Sequence, residues 1–208
     1  MTCLILPWML VMQSDFKLKY FQLLVILFLS AVTFPIWAFD NDRKGFALGL
    51  GIGAQSTTVD TYVIDGQHFS DDYEGEAASV RMGLGFSNQF IYYFSVEMSM
   101  YEAADGINNE TVSYTSSMTG IVAAYYFSSK APSAYIVGGV GWGNLSFEST
   151  SFTDGDDGSA FILGGGYEFM PHHNVELNLF STSIPSKYVE IESIDTLSTQ
   201  LMYQYVFY

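Results

Sequence analysis

The sequence predicts an all-β fold, an eight-stranded antiparallel up-and-down β-barrel that crosses a membrane on its strands. Three observations carry that reading. After residue 39, hydrophobicity repeats at period two, with no capped pattern at the helical period. Bulky apolar and aromatic side chains share one face of each segment, while Gly, Ala, Ser, Thr and a few charges share the other. The links between segments alternate between short and long. A soluble sandwich turns its bulky face toward a second sheet. Eight strands closed on themselves leave an interior only wide enough for side chains, so a bulky outer face calls for lipid. Closure is compulsory there, because an open edge would leave peptide groups unpaired in hydrocarbon.

Composition narrows the class further. The 208 residues hold 22 acidic and 7 basic side chains, a formal net charge of −15. Charged residues make only 14% of the chain and aromatics 17%, which excludes a disordered tail or a coiled coil. The acid excess excludes nucleic acid as a partner, since phosphate binding needs a cationic surface. A single cysteine, Cys3, supports neither a disulfide framework nor a thiolate metal cluster.

Residues 1–38 read as an export signal cleaved after Ala38. Lys17 and Lys19 precede an apolar run from Tyr20 to Val32, and Pro35 leads to the small residue Ala38. That run is shorter than the roughly 20 apolar residues a membrane-spanning helix needs. Residues 39–208 then form the barrel domain.

The strands follow in order. Phe46, Leu48, Leu50 and Ile52 alternate with Ala47, Gly49, Gly51 and Gly53. In 78–86, Val80, Met82, Leu84 and Phe86 oppose Ser79, Arg81, Gly83 and Gly85. In 90–101, Phe90, Tyr92, Phe94, Val96, Met98 and Met100 oppose Ile91, Tyr93, Ser95, Glu97, Ser99 and Tyr101. The 118–127 segment alternates more weakly, and 134–143 sets Ile136, Val140 and Trp142 on one face. Phe161, Leu163, Tyr167 and Phe169 oppose Ala160, Ile162, Gly164, Gly166 and Glu168. Val175, Leu177 and Leu179 oppose Glu176, Asn178 and Phe180. Last, Leu201, Tyr203, Tyr205 and Phe207 oppose Gln200, Met202, Gln204 and Val206. Each segment approaches the 9–11 residues with which a tilted strand crosses a bilayer.

Short links are expected at Ser87–Gln89, Ser128–Ser133 and Met170–Asn174, and long ones at 55–76, 102–113, 144–159 and 182–196. Short periplasmic turns and longer extracellular loops are the outer-membrane pattern. Two interfacial girdles are expected, one of Phe86, Phe90, Tyr126, Phe127, Phe169 and Phe207, the other of Tyr101, Tyr114 and Trp142.

The ending YQYVFY, with Tyr203, Tyr205 and Phe207 in alternation, resembles the C-terminal assembly signal of bacterial outer-membrane barrels; Tyr208 follows one residue beyond it. Residues 39–208 are similar to the small eight-stranded outer-membrane β-barrel family, which includes OmpA-like transmembrane domains, OmpX-type proteins and opacity-type adhesins. The resemblance implies a place in the outer membrane among its lipids and lipopolysaccharide, recognition by the barrel-assembly machinery, and a surface ligand. It implies a structural or surface-interaction role, in envelope integrity or adhesion. A narrow porin-like channel is the alternative, and a lipid A-modifying enzyme a third.

Inside the barrel, Arg81, Glu97 and Tyr93 form the expected lumen polar network. A turn centred on Asn88 sets Arg81 opposite Ser95 and diagonal to Glu97. That pair reads either as a plug or as two solvated groups in a wet channel. Glu168 and Glu176 are expected to face each other across a turn centred on His172, close to the periplasmic mouth, where screening softens their repulsion. His172 and His173 stand in an exposed turn with no third metal ligand at a recognisable spacing. His68-Phe69-Ser70 matches the His-x-Ser element of the similar lipid A deacylase barrels. Here it falls in the long first loop with no acid placed beside it, so no catalytic residue is assigned. The carboxylates of the four long loops read as solvated charge, with bridging of divalent ions to lipopolysaccharide as a secondary idea; Asp154 to Gly158 misses the EF-hand spacing. No helix follows any Gly-x-Gly run, so no nucleotide loop forms, and neither cofactor nor metal is expected.

Overall fold

The computed structural model describes residues 42–104, 111–149, 152–185 and 191–208. The expected signal segment, residues 1–38, lies outside them. Eight strands form one closed sheet: β1 (Gly45–Val63), β2 (His68–Ser87), β3 (Phe90–Ala104), β4 (Thr111–Tyr126), β5 (Ser133–Ser149), β6 (Phe152–Met170), β7 (His173–Pro185) and β8 (Ile191–Phe207). Every neighbouring pair is antiparallel, and β1 against β8 closes the ring from Leu48↔Phe207 up to Val63↔Ile191.

The register fixes the size of the ring. From Gln55 the ladder leads through Gln200, Asn178, Gly164, Val137, Ala124, Ile91 and Gly85 back to β1 at Gly45, ten residues below its start. With standard strand rise and spacing, that stagger over eight strands gives a tilt of about 40° and a radius of about 8 Å. Such a barrel has room for side chains and little else.

Alternation sorts the two surfaces as period two requires. Leu50, Ile52, Phe94, Ile136, Leu163, Leu177 and Leu201 are exposed on the outer wall, with Val140 at 68% and Trp142 at 75% exposure. Their neighbours Gly51, Ser95, Val137, Ile162, Asn178 and Gln200 are buried in the lumen. Along β1 the outward apolar stretch runs from Phe46 to Ala54. At the tilt above it stands about 22 Å tall, matching the apolar band of an outer-membrane barrel, about 25 Å.

Two expectations need correction. The regions 55–76 and 144–159 are not long loops: β1 and β2 stay paired up to Tyr62↔His68, with only residues 64–67 connecting them, and β5 and β6 stay paired up to Ser149↔Phe152. Above the belt the outer face meets water and the buried inner face is polar, so Ser56, Thr57 and Thr58 show no hydrophobic alternation, yet the backbone ladder still satisfies its own N–H and C=O groups. Asp60, Asp71, Asp72, Glu74 and Glu76 therefore stand on strands, whereas Asp105, Glu110 and Glu190 lie outside the described residues. The second correction concerns the girdles. Trp142 faces outward, but Tyr101 and Tyr126 are buried in the lumen. Tyr114, opposite Tyr101 in the ladder, stacks on it at 5.5 Å, and Tyr73 stacks on the other side at 5.2 Å. Those tyrosines fill the barrel's upper interior.

Candidate functional site

The lumen holds the densest polar chemistry of the molecule. Arg81 on β2 pairs with Ser95 in the ladder and donates from Nε to Glu97 Oε1 at 2.6 Å. Its two terminal nitrogens grip Glu176 on β7 at 3.0 and 2.7 Å. In a barrel of this radius β2 and β7 are separated by a chord of about 15 Å, so the bidentate pair crosses most of the interior. Ser95 also donates to Glu97 Oε1, Tyr135 to Glu176 Oε2, and Asn178 Nδ2 to Glu176 Oε1. Tyr93, below the cluster, is buried in the lumen.

Two glycines make room for such side chains inside the lumen. Tyr135, Gly166 and Glu176 lie in one row of the ladder, and the Tyr135 ring passes over Gly166 to reach the carboxylate. A Cβ on Gly166 would sit 2.3 Å from that ring. Gly51 likewise leaves space for the Ser79–Gln204 pair above it. Gly166→Ala should displace the phenol from Glu176 and destabilise the barrel by about 1–3 kcal/mol, read from the urea midpoint of unfolding in lipid vesicles. An unchanged midpoint would show that Tyr135 has no structural part in the cluster.

A second ionic centre seals the periplasmic end. Arg43, in the segment before β1, donates to Asn88 O at 2.7 Å and Ser128 O at 2.8 Å, and pairs with Glu168. Its guanidinium lies 4.0 Å over the Tyr126 ring. Asn88 belongs to the β2–β3 turn, Ser128 to the β4–β5 turn, and Glu168 stands beside the β6–β7 turn, so one side chain ties all three. Tyr208, the last residue, turns inward and donates to Glu168, while the His172 backbone N–H donates to the Tyr208 oxygen at 3.1 Å. Neither Arg43 nor Tyr208 is legible as a site from the pattern of residue types. Parity alone would have placed Tyr208 on the lumen face, one residue after the outward Phe207.

Several expected positions change meaning. Glu168 and Glu176 do not face each other: Glu168 pairs with Asn174 and Gly166 with Glu176. The turn consists of Pro171 and His172, with His172 at φ +73°, the backbone that a proline followed by a left-handed residue favours. Both carboxylates are fully buried and each has its own arginine, so arginine pairing, rather than screening by water, answers their charge. His172 and His173 are half-buried rather than exposed; their Nδ1 atoms meet Val206 O at 2.9 Å and the Tyr203 hydroxyl at 2.6 Å. His68 and Ser70 lie on β2, not in a loop, and an acid does stand beside them. Asp60 is 3.0 Å from His68 Nε2 and stands opposite Ser70 in the ladder. Ser70 first, and His68 beside it, hold the Asp60 carboxyl below its ordinary value. Among the described residues no hydrogen bond joins Ser70 to the His68 imidazole, whose Nε2 meets Asp60 instead, so no base is aligned on a nucleophile here.

The upper lumen is closed by weaker groups. Gln55 donates to Met100 O at 3.2 Å, Thr57 meets Ser198 at 2.6 Å, and Ser116, Thr182 and Thr196 form a hydroxyl triangle. On the outer side of β8, Tyr203, Tyr205 and Phe207 alternate outward, and the Tyr205 and Phe207 rings meet edge-on at 4.6 Å.

A closed eight-stranded wall with an apolar exterior and an ion-paired interior has relatives. The outer membrane protein beta-barrel domain family matches residues 24–207. This chain belongs to that family. It is accordingly a protein of the cell outer membrane, crossing it on β-strands. Among solved structures, Neisserial surface protein A is 13% identical with a TM-score of 0.50, over 78% of this chain and 97% of that one. Ail, the attachment invasion locus protein of Yersinia pestis, is 14% identical with a TM-score of 0.49, over 79% and 99%. OprG from Pseudomonas aeruginosa is 13% identical with a TM-score of 0.45, over 81% and 98%. At such identities the likeness concerns fold alone. No curated protein matches the chain.

Proposed function

We propose that this barrel is a closed, non-conducting element of the outer membrane that acts through its surface, in envelope integrity or adhesion. The observation that carries the reading is the double ionic closure of the lumen, Arg81 with Glu97 and Glu176 across the middle and Arg43 with Glu168 at the periplasmic mouth. A channel needs a continuous wet path, and ion-paired side chains packed across the lumen are barriers to one. What the protein offers outward is the β1–β2 extension, which rises well above the apolar belt and carries Asp60, Asp71, Asp72, Glu74 and Glu76. A surface ligand complementary to that charge is cationic. Lipopolysaccharide and phospholipid surround the outer wall, and the outward Tyr203, Tyr205 and Phe207 on the closing strand support β8 as the strand offered to the barrel-assembly machinery. Planar-bilayer recording decides between closed element and pore. The purified barrel should add no steady current above the bare membrane; reproducible conductance steps from the unmodified protein would overturn the reading in favour of the narrow channel.

A further inference from the structure

The central cluster carries one charge too many. Arg81 contributes a single positive charge against the two carboxylates of Glu97 and Glu176, and all three are buried. The other ionic centre is balanced within itself, Arg43 against Glu168. A buried excess charge is costly unless something of opposite sign meets it.

Three acceptor oxygens point to where that partner sits. Glu97 Oε2, Asn178 Oδ1 and Gln200 Oε1 are buried without a hydrogen-bond partner among the described residues, and each side chain is at most 1% exposed. All three residues face the lumen, and Gln200 and Asn178 are direct partners in the β7–β8 ladder. Gln200 reaches across to Ser99, two residues from Glu97 on the same lumen face of β3. Asn178 joins the same network through Glu176. Its orientation is fixed by chemistry: a carboxylate only accepts, so the amide nitrogen must face Glu176 and the oxygen must face away. Orphaned oxygens of this kind, with no donor to meet them, mark the place of an ion or a water.

We propose that the lumen binds one small monovalent cation, sodium or potassium, held by Glu97 and the amide oxygens of Asn178 and Gln200. One such ion makes the cluster neutral, whereas a divalent ion would leave it positive. A carboxylate with amide oxygens is a hard donor set suited to alkali cations, which accept carbonyl oxygens in place of water. Soft or transition metals have no claim here, since among the described residues no group of three or more His, Cys, Asp and Glu is placed to hold a metal. The site goes beyond the closed-barrel reading and does not depend on it, because a bound ion is not a conducted one.

The test uses the folded barrel in detergent at constant ionic strength, with choline chloride replaced stepwise by sodium or potassium chloride. Choline is too large for the lumen and serves as the ionic-strength control. The unfolding midpoint, read by heat-modifiable migration, should rise and saturate with the small cation, and Glu97→Gln should flatten the response. Crystals of the unmodified protein soaked in thallium(I) provide the arm that needs no variant: an anomalous peak should lie beside Glu97. Identical midpoints in choline and sodium, the same saturating rise in Glu97→Gln, or a lumen that shows water without anomalous signal would each overturn the proposal.

Discussion

Arg81→Ala should lower the stability of the folded barrel by about 3–5 kcal/mol, the range for removing one partner from a buried ion pair. Arg81 answers two carboxylates at once, Glu97 through Nε and Glu176 through both terminal nitrogens, so its loss strands both in a low-dielectric interior. The measurement is the urea midpoint of unfolding from lipid vesicles. The direction of a companion variant separates charge from packing. If Arg81, Glu97 and Glu176 are replaced together by Met, Gln and Gln, most of the stability should return, because burying an intact ion cluster costs nearly as much desolvation as its attraction recovers. A single Arg81→Ala with wild-type stability would mean that water already solvates the two carboxylates.

Arg43→Ala should have the second-largest effect, about 3 kcal/mol by the same reasoning, but with a different footprint. Glu168 would keep the Tyr208 hydroxyl, while the carbonyls of Asn88 and Ser128 would lose their donor. All three periplasmic turns hang on that one guanidinium. Amide hydrogen exchange should therefore accelerate at Ser87–Phe90, around Phe127–Ser133 and at Met170–His173, with little change at the Ser116–Thr182–Thr196 end of the lumen. Uniform acceleration along every strand would show instead that Arg43 supports the barrel as a whole and not its periplasmic closure.

Much of this architecture is legible from residue types, and the exceptions have physical reasons. Period two identifies the wall wherever its faces meet different surroundings, as along Phe161–Phe169, where exposed Phe161 and Leu163 flank buried Ile162. It fails along Gln55–Val63 because the outer face there meets water and the buried lumen positions Gln55 and Thr57 are polar, so the β1–β2 ladder runs on without a hydrophobic signature. Tyr101 and Tyr126 were expected at the interface on the strength of their rings, yet an eight-stranded interior also needs large side chains to fill it. The alternation of 90–101 already placed Tyr101 inward, so parity is the better guide than residue type. Glu176 escaped because its partner depends on the turn: the two-residue turn at Pro171 and His172 together with a register shift between Glu168 and Met170 sets Glu168 opposite Asn174 and Glu176 opposite Gly166, free to meet Arg81 across the lumen. Arg43 lies before the first strand, outside any repeating pattern, and only the closed ring shows that three turns converge on it.

The central claim is that bulky side chains face lipid around a packed polar interior. Nitroxide scanning of β6 in lipid vesicles, from Phe161 to Phe169, tests it most directly. Labels at Phe161, Leu163, Tyr167 and Phe169 should be accessible to dissolved oxygen and shielded from a water-soluble relaxation agent, while labels at Ile162, Gly164 and Glu168 should be shielded from both. Accessibility with no two-residue period, or inner positions open to the aqueous agent along the whole strand, would contradict the account.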